Sequence, residues 1–101
     1  MIGGLNKEFD HRVRLGIMSI LMVNKEVDFN TMKNLLQLTD GNLASHITAL
    51  EKAGFVLVDK AFVGKKPRTT YSASDAGRKA FSEHLNALEK LISLRDGGHS
   101  H

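Results

Sequence analysis

Thr39–Val56 reads TDGNLASHITALEKAGFV, and the organisation of the chain can be read outward from it. Leu43, Ile47 and Leu50 recur at spacings of four and three, which places them on one face of a helix from Asp40 to about Ala53. Thr39 is suited to cap the first turn by accepting from a free amide, and Gly54 supplies the stop. The side opposite Leu43 carries Gly41, Asn42, Ser45, Thr48, Ala49 and Lys52. A face made only for solvent is richer in glutamate and lysine. These residues are small or hydrogen-bonding, so this face is shaped to approach something closely.

Upstream, the spacing predicts a helix from about Asp10 to Val23 with Phe9, Val13, Ile17, Ile20 and Leu21 in one stripe. Leu15, Met18 and Met22 form a second stripe beside it, wide enough to reach a subunit interface as well as a core. Val27-Asp28-Phe29 reads as a very short strand. Asn30 then caps a short helix whose inward face is Met32, Leu35 and Leu36 and which ends by Gln37-Leu38.

Downstream, Phe55 to Phe62 is a β-rich run, Gly64 and Pro67 mark a turn, and Thr69 to Ala73 reads as the returning strand. From Lys60 to Arg68 there are four bases (Lys60, Lys65, Lys66, Arg68) and no acid. Ser74 caps a long final helix from Asp75, in which Phe81, Leu85, Leu88 and Ile92 step by four, three and four. Asp96 to His101 is a glycine-rich ending. The expected fold class is α+β, mostly α: three helices, a β-hairpin and a long C-terminal helix, forming one domain over residues 1–96 with a flexible tail at 97–101.

Composition limits what such a chain does. At 101 residues it holds one core and little room for a second site. It has no cysteine, which excludes disulfides and thiolate metal sites. The start, Met1 to Asn6, lacks the charged and apolar segments of a signal peptide, and no run reaches the ~18 apolar residues of a membrane span, so a cytoplasmic location is expected. No arrangement resembles an activated nucleophile, a glycine-rich phosphate loop or a paired general acid and base, so no enzyme is expected. The net charge is only +3, and its placement matters more than its size.

The stretch Leu43 to Val56, the hairpin Val63-Gly64-Lys65-Lys66-Pro67-Arg68-Thr69-Thr70-Tyr71 and the following Ser74-Asp75-Ala76-Gly77-Arg78 together resemble MarR-like and ArsR-like winged helix-turn-helix regulators. The likeness runs from about Phe9 to Ile92. It implies a homodimer that binds double-stranded operator DNA, with repression the implied mode. The chain departs from that pattern in being short, with no added ligand-binding domain, and nothing in it names an effector.

A helix-turn-helix lays its second helix in the major groove with the N-terminal half at the base edges. Thr39, Gly41, Asn42, Ser45, His46, Thr48, Ala49 and Lys52 are therefore the candidate recognition residues. Asn42 offers a paired donor and acceptor to adenine, Ser45 serves several bases and Ala49 meets a thymine methyl. Gly41 lets the backbone come close, and Thr48 and Lys52 suit phosphates. His46 lies on the flank of the buried stripe, where groove contact and half-buried packing compete. Lys60, Lys65, Lys66, Arg68 and Thr69 are the candidate wing contacts, with the arginine best suited to a minor groove. Phe81, Leu85, Leu88, Leu91 and Ile92 are the candidate dimerisation residues, and a two-fold dimer predicts a pseudo-palindromic operator.

Two other readings attach to the same residues. A winged helix can serve as a protein-interaction module without binding DNA. His84, His99 and His101 with Asp96 could serve a metal-responsive sensor, but nothing fixes their geometry, so no metal and no cofactor is expected.

Overall fold

The computed structural model describes residues 4–9 and 11–95, the side chains of 94 and 95 excepted. A short 3-10 turn, Lys7–Phe9, leads to α1 (Arg12–Val23), β1 (Val27–Asp28), α2 (Phe29–Leu36), α3 (Asp40–Lys52), β2 (Val56–Val63), β3 (Lys66–Ala73) and α4 (Asp75–Arg95). The three strands form an antiparallel sheet in the order β1-β3-β2. This is the expected α+β, mostly helical arrangement.

His11 caps α1, its Nδ1 accepting from Val13 N–H at 3.1 Å, so the helix starts two residues after the expected Asp10, which lies outside the described residues. Ile17, Met18 and Leu21 are buried, and Val13, Leu15, Ile20 and Met22 pack half-buried against the same core. The second apolar stripe of this helix is thus largely consumed within the domain, which removes most of the reason to assign it to an interface. Gly16 lets α2 come close: a Cβ there would stand 2.8 Å from Leu36 Cδ2.

Asp28, not Asn30, caps α2, accepting from Thr31 N–H at 3.2 Å. The strand ends one residue earlier than expected, so Phe29 already belongs to the helix and Asn30 to its first turn. Met32 and Leu36 face inward while Leu35 is exposed. The helix ends on Gln37 in the left-handed region at φ 54°, a conformation usually left to glycine. Leu38 and Thr39 follow, and Thr39 Oγ1 accepts from Asn42 N–H at 3.2 Å to start α3. Helix, tight turn and helix are therefore built from side-chain caps on both helices.

α3 closes with Phe55 N–H donating to Leu50 C=O and Gly54 N–H donating to Glu51 C=O, both at 2.9 Å, with Gly54 at φ 83°. That pair of bonds is the Schellman ending. The hairpin turns on Gly64 and Lys65, and the positive φ of Gly64 suits a two-residue hairpin turn. Pro67 is not in this turn but inside β3, opposite Phe62. It is tolerated there because β1 reaches only Thr70 and Tyr71, leaving the other edge of β3 open beside Pro67.

Ser74 joins hairpin to final helix: its Oγ donates to Gly54 C=O at 2.6 Å and accepts from Gly77 N–H at 2.9 Å. Gly77 lies flat on the Phe55 carbonyl, where any Cβ would collide with backbone. The Arg78 guanidinium donates to the carbonyls of Leu21 (3.3 Å) and Met22 (3.4 Å), satisfying groups at the end of α1. Phe81, His84 and Ala87 are the buried face of α4, and Phe9 packs against Phe55, Phe81 and His84 with ring centroids 5.2–5.3 Å away.

Candidate nucleic-acid interface

The buried apolar stripe fixes which side of α3 faces out. With Leu43, Ile47 and Leu50 in the core, Gly41, Asn42, Ser45, Thr48 and Lys52 are exposed and Ala49 is half-buried. A shallow open depression along the helix is lined by Gly41, Ala44, Ser45, Thr48, Ala49 and Lys52. No atom lies within 4 Å of where a Gly41 Cβ would stand, so this glycine is not required by packing inside the domain. Thr39 is exposed beside this face, its oxygen committed to the cap and its hydroxyl proton free to donate.

Two acids stand on α3, and one of them is paired. Asp40 pairs with Lys33 of α2 at 2.9 Å. Glu51 is exposed on the flank of α3, and the Tyr71 hydroxyl is pushed up in pKa first by burial and then by that carboxylate. Lys33 is a residue that sequence reasoning missed. Its partner lies across the turn, at a separation no helical periodicity reports.

His46 departs from the other members of the recognition set. Its Nδ1 accepts from Arg14 Nε–H at 3.2 Å, and its ring lies 4.3 Å from that of His11. The same arginine donates to Glu8 at 3.0 Å. His46 is thus turned toward α1, half-buried, as the packing alternative for this residue had it. Burial, then the charges of His11 and Arg14, hold its imidazole below the ordinary pKa.

The wing cations are all exposed, but the register divides them. Lys60 pairs with half-buried Thr69 and shares its face with Phe62 and Pro67. Arg68 pairs with Ala61 and Lys66 with Val63 on the opposite face, and Lys65 sits at the tip. Arg68 lines a depression with Glu26 and Asp59, and its charge also reaches Asp28. The Asp28 carboxyl is held below the usual range mainly by its hydrogen bond from Thr31, with Arg68 adding to it. The α3 set and the wing set line separate depressions.

On α4, Phe81 is 2% exposed and belongs to the core, which corrects its assignment to a subunit contact. Leu88 and Leu91 are half-buried, and Leu85 and Ile92 are open to solvent at 45% and 61%. His84 is buried, its Nδ1 accepting from Asn6 N–H at 3.1 Å, so it helps to hold the N-terminal segment in place. Asp96, His99 and His101, and the tail from 97 to 101, lie outside the described residues. Among the described residues no group of three or more histidines and acids could hold a metal ion, and no helix is long and apolar enough to cross a membrane.

Residues 13–92 match the family described as winged helix DNA-binding domain. The chain is 34% identical over 85 residues to an uncharacterised protein of Methanocaldococcus jannaschii, covering 84% of this chain and 92% of that one. It is similar to the solved structure of a transcriptional regulator homologue from Pyrococcus horikoshii, with a TM-score of 0.82, 35% identity and 88% of each chain covered. The fold also matches Bacillus subtilis PadR, solved in complex with operator DNA, with a TM-score of 0.65, 14% identity, and 74% of this chain and 48% of that one covered.

Proposed function

The chain belongs to the winged helix DNA-binding domain family, and from that premise we propose that it is a DNA-binding transcriptional regulator that reads a two-fold operator as a homodimer. The observation that carries this reading is the outward face of α3. Its centre is uncharged except for Lys52, rich in hydrogen-bonding groups and free of bulk, with Asp40 at one edge paired to Lys33 and Glu51 exposed on the same flank. A helix with such a centre enters a major groove without steric obstruction.

In the proposed complex the first turns of α3 meet the base edges. Asn42 pairs with adenine, Ser45 donates or accepts at a neighbouring base, and Ala49 packs on a thymine methyl. Gly41 and Thr39 bring the helix start against the duplex, and Thr48 and Lys52 take phosphates, which position the protein without specifying sequence. Lys65, Lys66 and Arg68 reach an adjacent groove, with Lys60 and Thr69 at the base of the wing. Leu85, Leu88, Leu91 and Ile92 join two copies through α4, and the bound dimer represses by occupying the promoter. This reading implies work in the cytoplasm and no catalysis.

Selection of bound fragments from random duplex DNA, followed by a salt titration, tests the proposal. The expected result is an enriched two-fold motif whose affinity falls with a log–log slope near −0.9 per phosphate contacted, for ~6–10 contacts. Binding without any enriched motif would leave a protein-interaction module as the better reading.

A further inference from the structure

The wing carries more than charge. Every residue from Asp59 to Arg68 is exposed, the hairpin running out beyond buried Thr70 and half-buried Thr69. Two large apolar side chains stand in this stretch, Phe62 at 73% and Val63 at 60% exposure. Phe62 faces Pro67 across the strands and shares that face with Lys60 and Thr69. β2 is also an edge strand. A long edge bearing exposed apolar residues is a template for unwanted pairing. A two-residue turn has no structural need of an aromatic beside it.

What covers this aromatic is indicated by the charge around it. Four cations and no acid lie between Lys60 and Arg68: Lys60 on the Phe62 face, Lys65 at the tip, and Lys66 and Arg68 on the other face, the last beside Glu26 and Asp59. That set repels the same wing of a second copy and attracts a polyanion. The geometry also fits a duplex. A two-stranded ribbon is too broad to lie in a minor groove about 6 Å wide, but a single side chain projecting from its tip can enter one. The walls of that groove are sugars, and its base steps accept apolar wedges. Resting on the DNA-binding reading above, we infer that Phe62 is an apolar anchor of the wing, packing on the sugars and base edges of the minor groove while Lys65 and Lys66 hold the flanking phosphates.

The test compares Phe62→Ala, Phe62→Lys, Lys65→Ala and Lys66→Ala on the selected operator across a salt series, with hydroxyl-radical footprints. Phe62→Ala is expected to weaken binding about tenfold at every salt concentration, with the salt slope unchanged. It should also lose protection of the minor-groove sugars, and its melting temperature should match the wild type, because the side chain is exposed. Each lysine variant instead reduces the slope by about 0.9. Phe62→Lys distinguishes the two kinds of contact: a purely electrostatic wing would bind more tightly with the added charge, whereas an apolar anchor binds more weakly. Phe62→Ala within twofold of wild type, tighter binding by Phe62→Lys, or retained sugar protection would overturn the inference while leaving operator binding intact. A change in sedimentation with DNA affinity unchanged would place Phe62 against a second copy and overturn it as well. Failure of the wild type to bind any duplex more tightly at low salt removes the DNA reading itself, and the wing anchor with it.

Discussion

Asn42 and Gly41 are neighbours at the start of α3, and their substitutions are expected to act in different ways. Asn42→Ala removes a side chain whose only role in the free domain is exposure, so stability should hold while operator affinity falls by about 1–3 kcal/mol and random DNA is bound nearly as before. An equal loss on both DNAs, measured by anisotropy, would reduce Asn42 to a backbone contact. Gly41→Ala places a methyl group in open space and replaces a helical glycine, so the free protein should gain about 0.5–1 kcal/mol. If α3 presses its backbone to the duplex, the same methyl weakens the complex. A variant that melts higher and binds less tightly is the expected pairing, and unchanged operator affinity would show that the helix start stands off the DNA. His46 adds a pH dependence. Its folded-state pKa lies below that of the unfolded chain, so the unfolded state binds the proton more readily. The stability associated with neutral His46 is therefore complete above the ordinary imidazole pKa of ~6.5 and is lost as pH falls through the lower folded value. Its surroundings support that direction, because protonation removes the acceptor for Arg14 and sets a second positive charge beside the Arg14 guanidinium, with Glu8 the acid at hand. Denaturant melts at descending pH should show a smaller loss for His46→Asn than for wild type.

At the scale of elements, the parts legible in the sequence were those with local causes. The α3 stripe, the Thr39 and Ser74 caps and the Gly54 stop each depend on residues within a few positions of one another, and the structure places all of them as the spacing requires. The misreadings have non-local causes. Asp28 displaces Asn30 as the α2 cap because β1 pairs with β3, far along the chain, and stops at Asp28. Pro67 enters a strand because β1 is too short to cover that edge. The division of the wing cations between two faces follows from hairpin register, which the positions of Gly64 and Pro67 alone left open. Gln37 is the least legible element end, since a glutamine in the left-handed region leaves no compositional mark. It should also be improvable: Gln37→Gly relieves a conformation costing about 1–2 kcal/mol in an L-residue, set against the greater unfolded-state freedom of glycine. A rise in melting temperature is expected, and a fall would show that the Gln37 side chain contributes more than its backbone costs. Gly77→Ala predicts the reverse, because the new methyl meets the Phe55 carbonyl directly and α4 must shift, at about 1–3 kcal/mol.

The whole molecule holds one core and leaves one long helix incompletely covered. α4 has 21 residues, ~31 Å at ~1.5 Å per residue, and among the described residues its buried side chains Phe81, His84 and Ala87 fall in its first two-thirds. Leu85 and Ile92 remain open with Leu88 and Leu91 beside them, a seam of the kind two antiparallel or crossing helices bury together. If that seam joins two copies, the pair of α3 helices reads half-sites whose centres are ~10 bp apart, or a multiple of that, on one side of the duplex. Sedimentation at tens of micromolar should then give a dimer, and Leu85→Glu combined with Ile92→Glu should give a folded monomer, since both side chains are already exposed in the single chain. The operator supplies an independent check. Inserting about half a helical turn, ~5 bp, between half-sites turns one of them to the far face of the DNA, so a rigid dimer should fall to the affinity of a single half-site. The double glutamate variant should start at that affinity and be indifferent to the insertion. If the wild type is equally indifferent, the two recognition helices are not coupled through α4, and the open apolar residues of that helix serve some other contact.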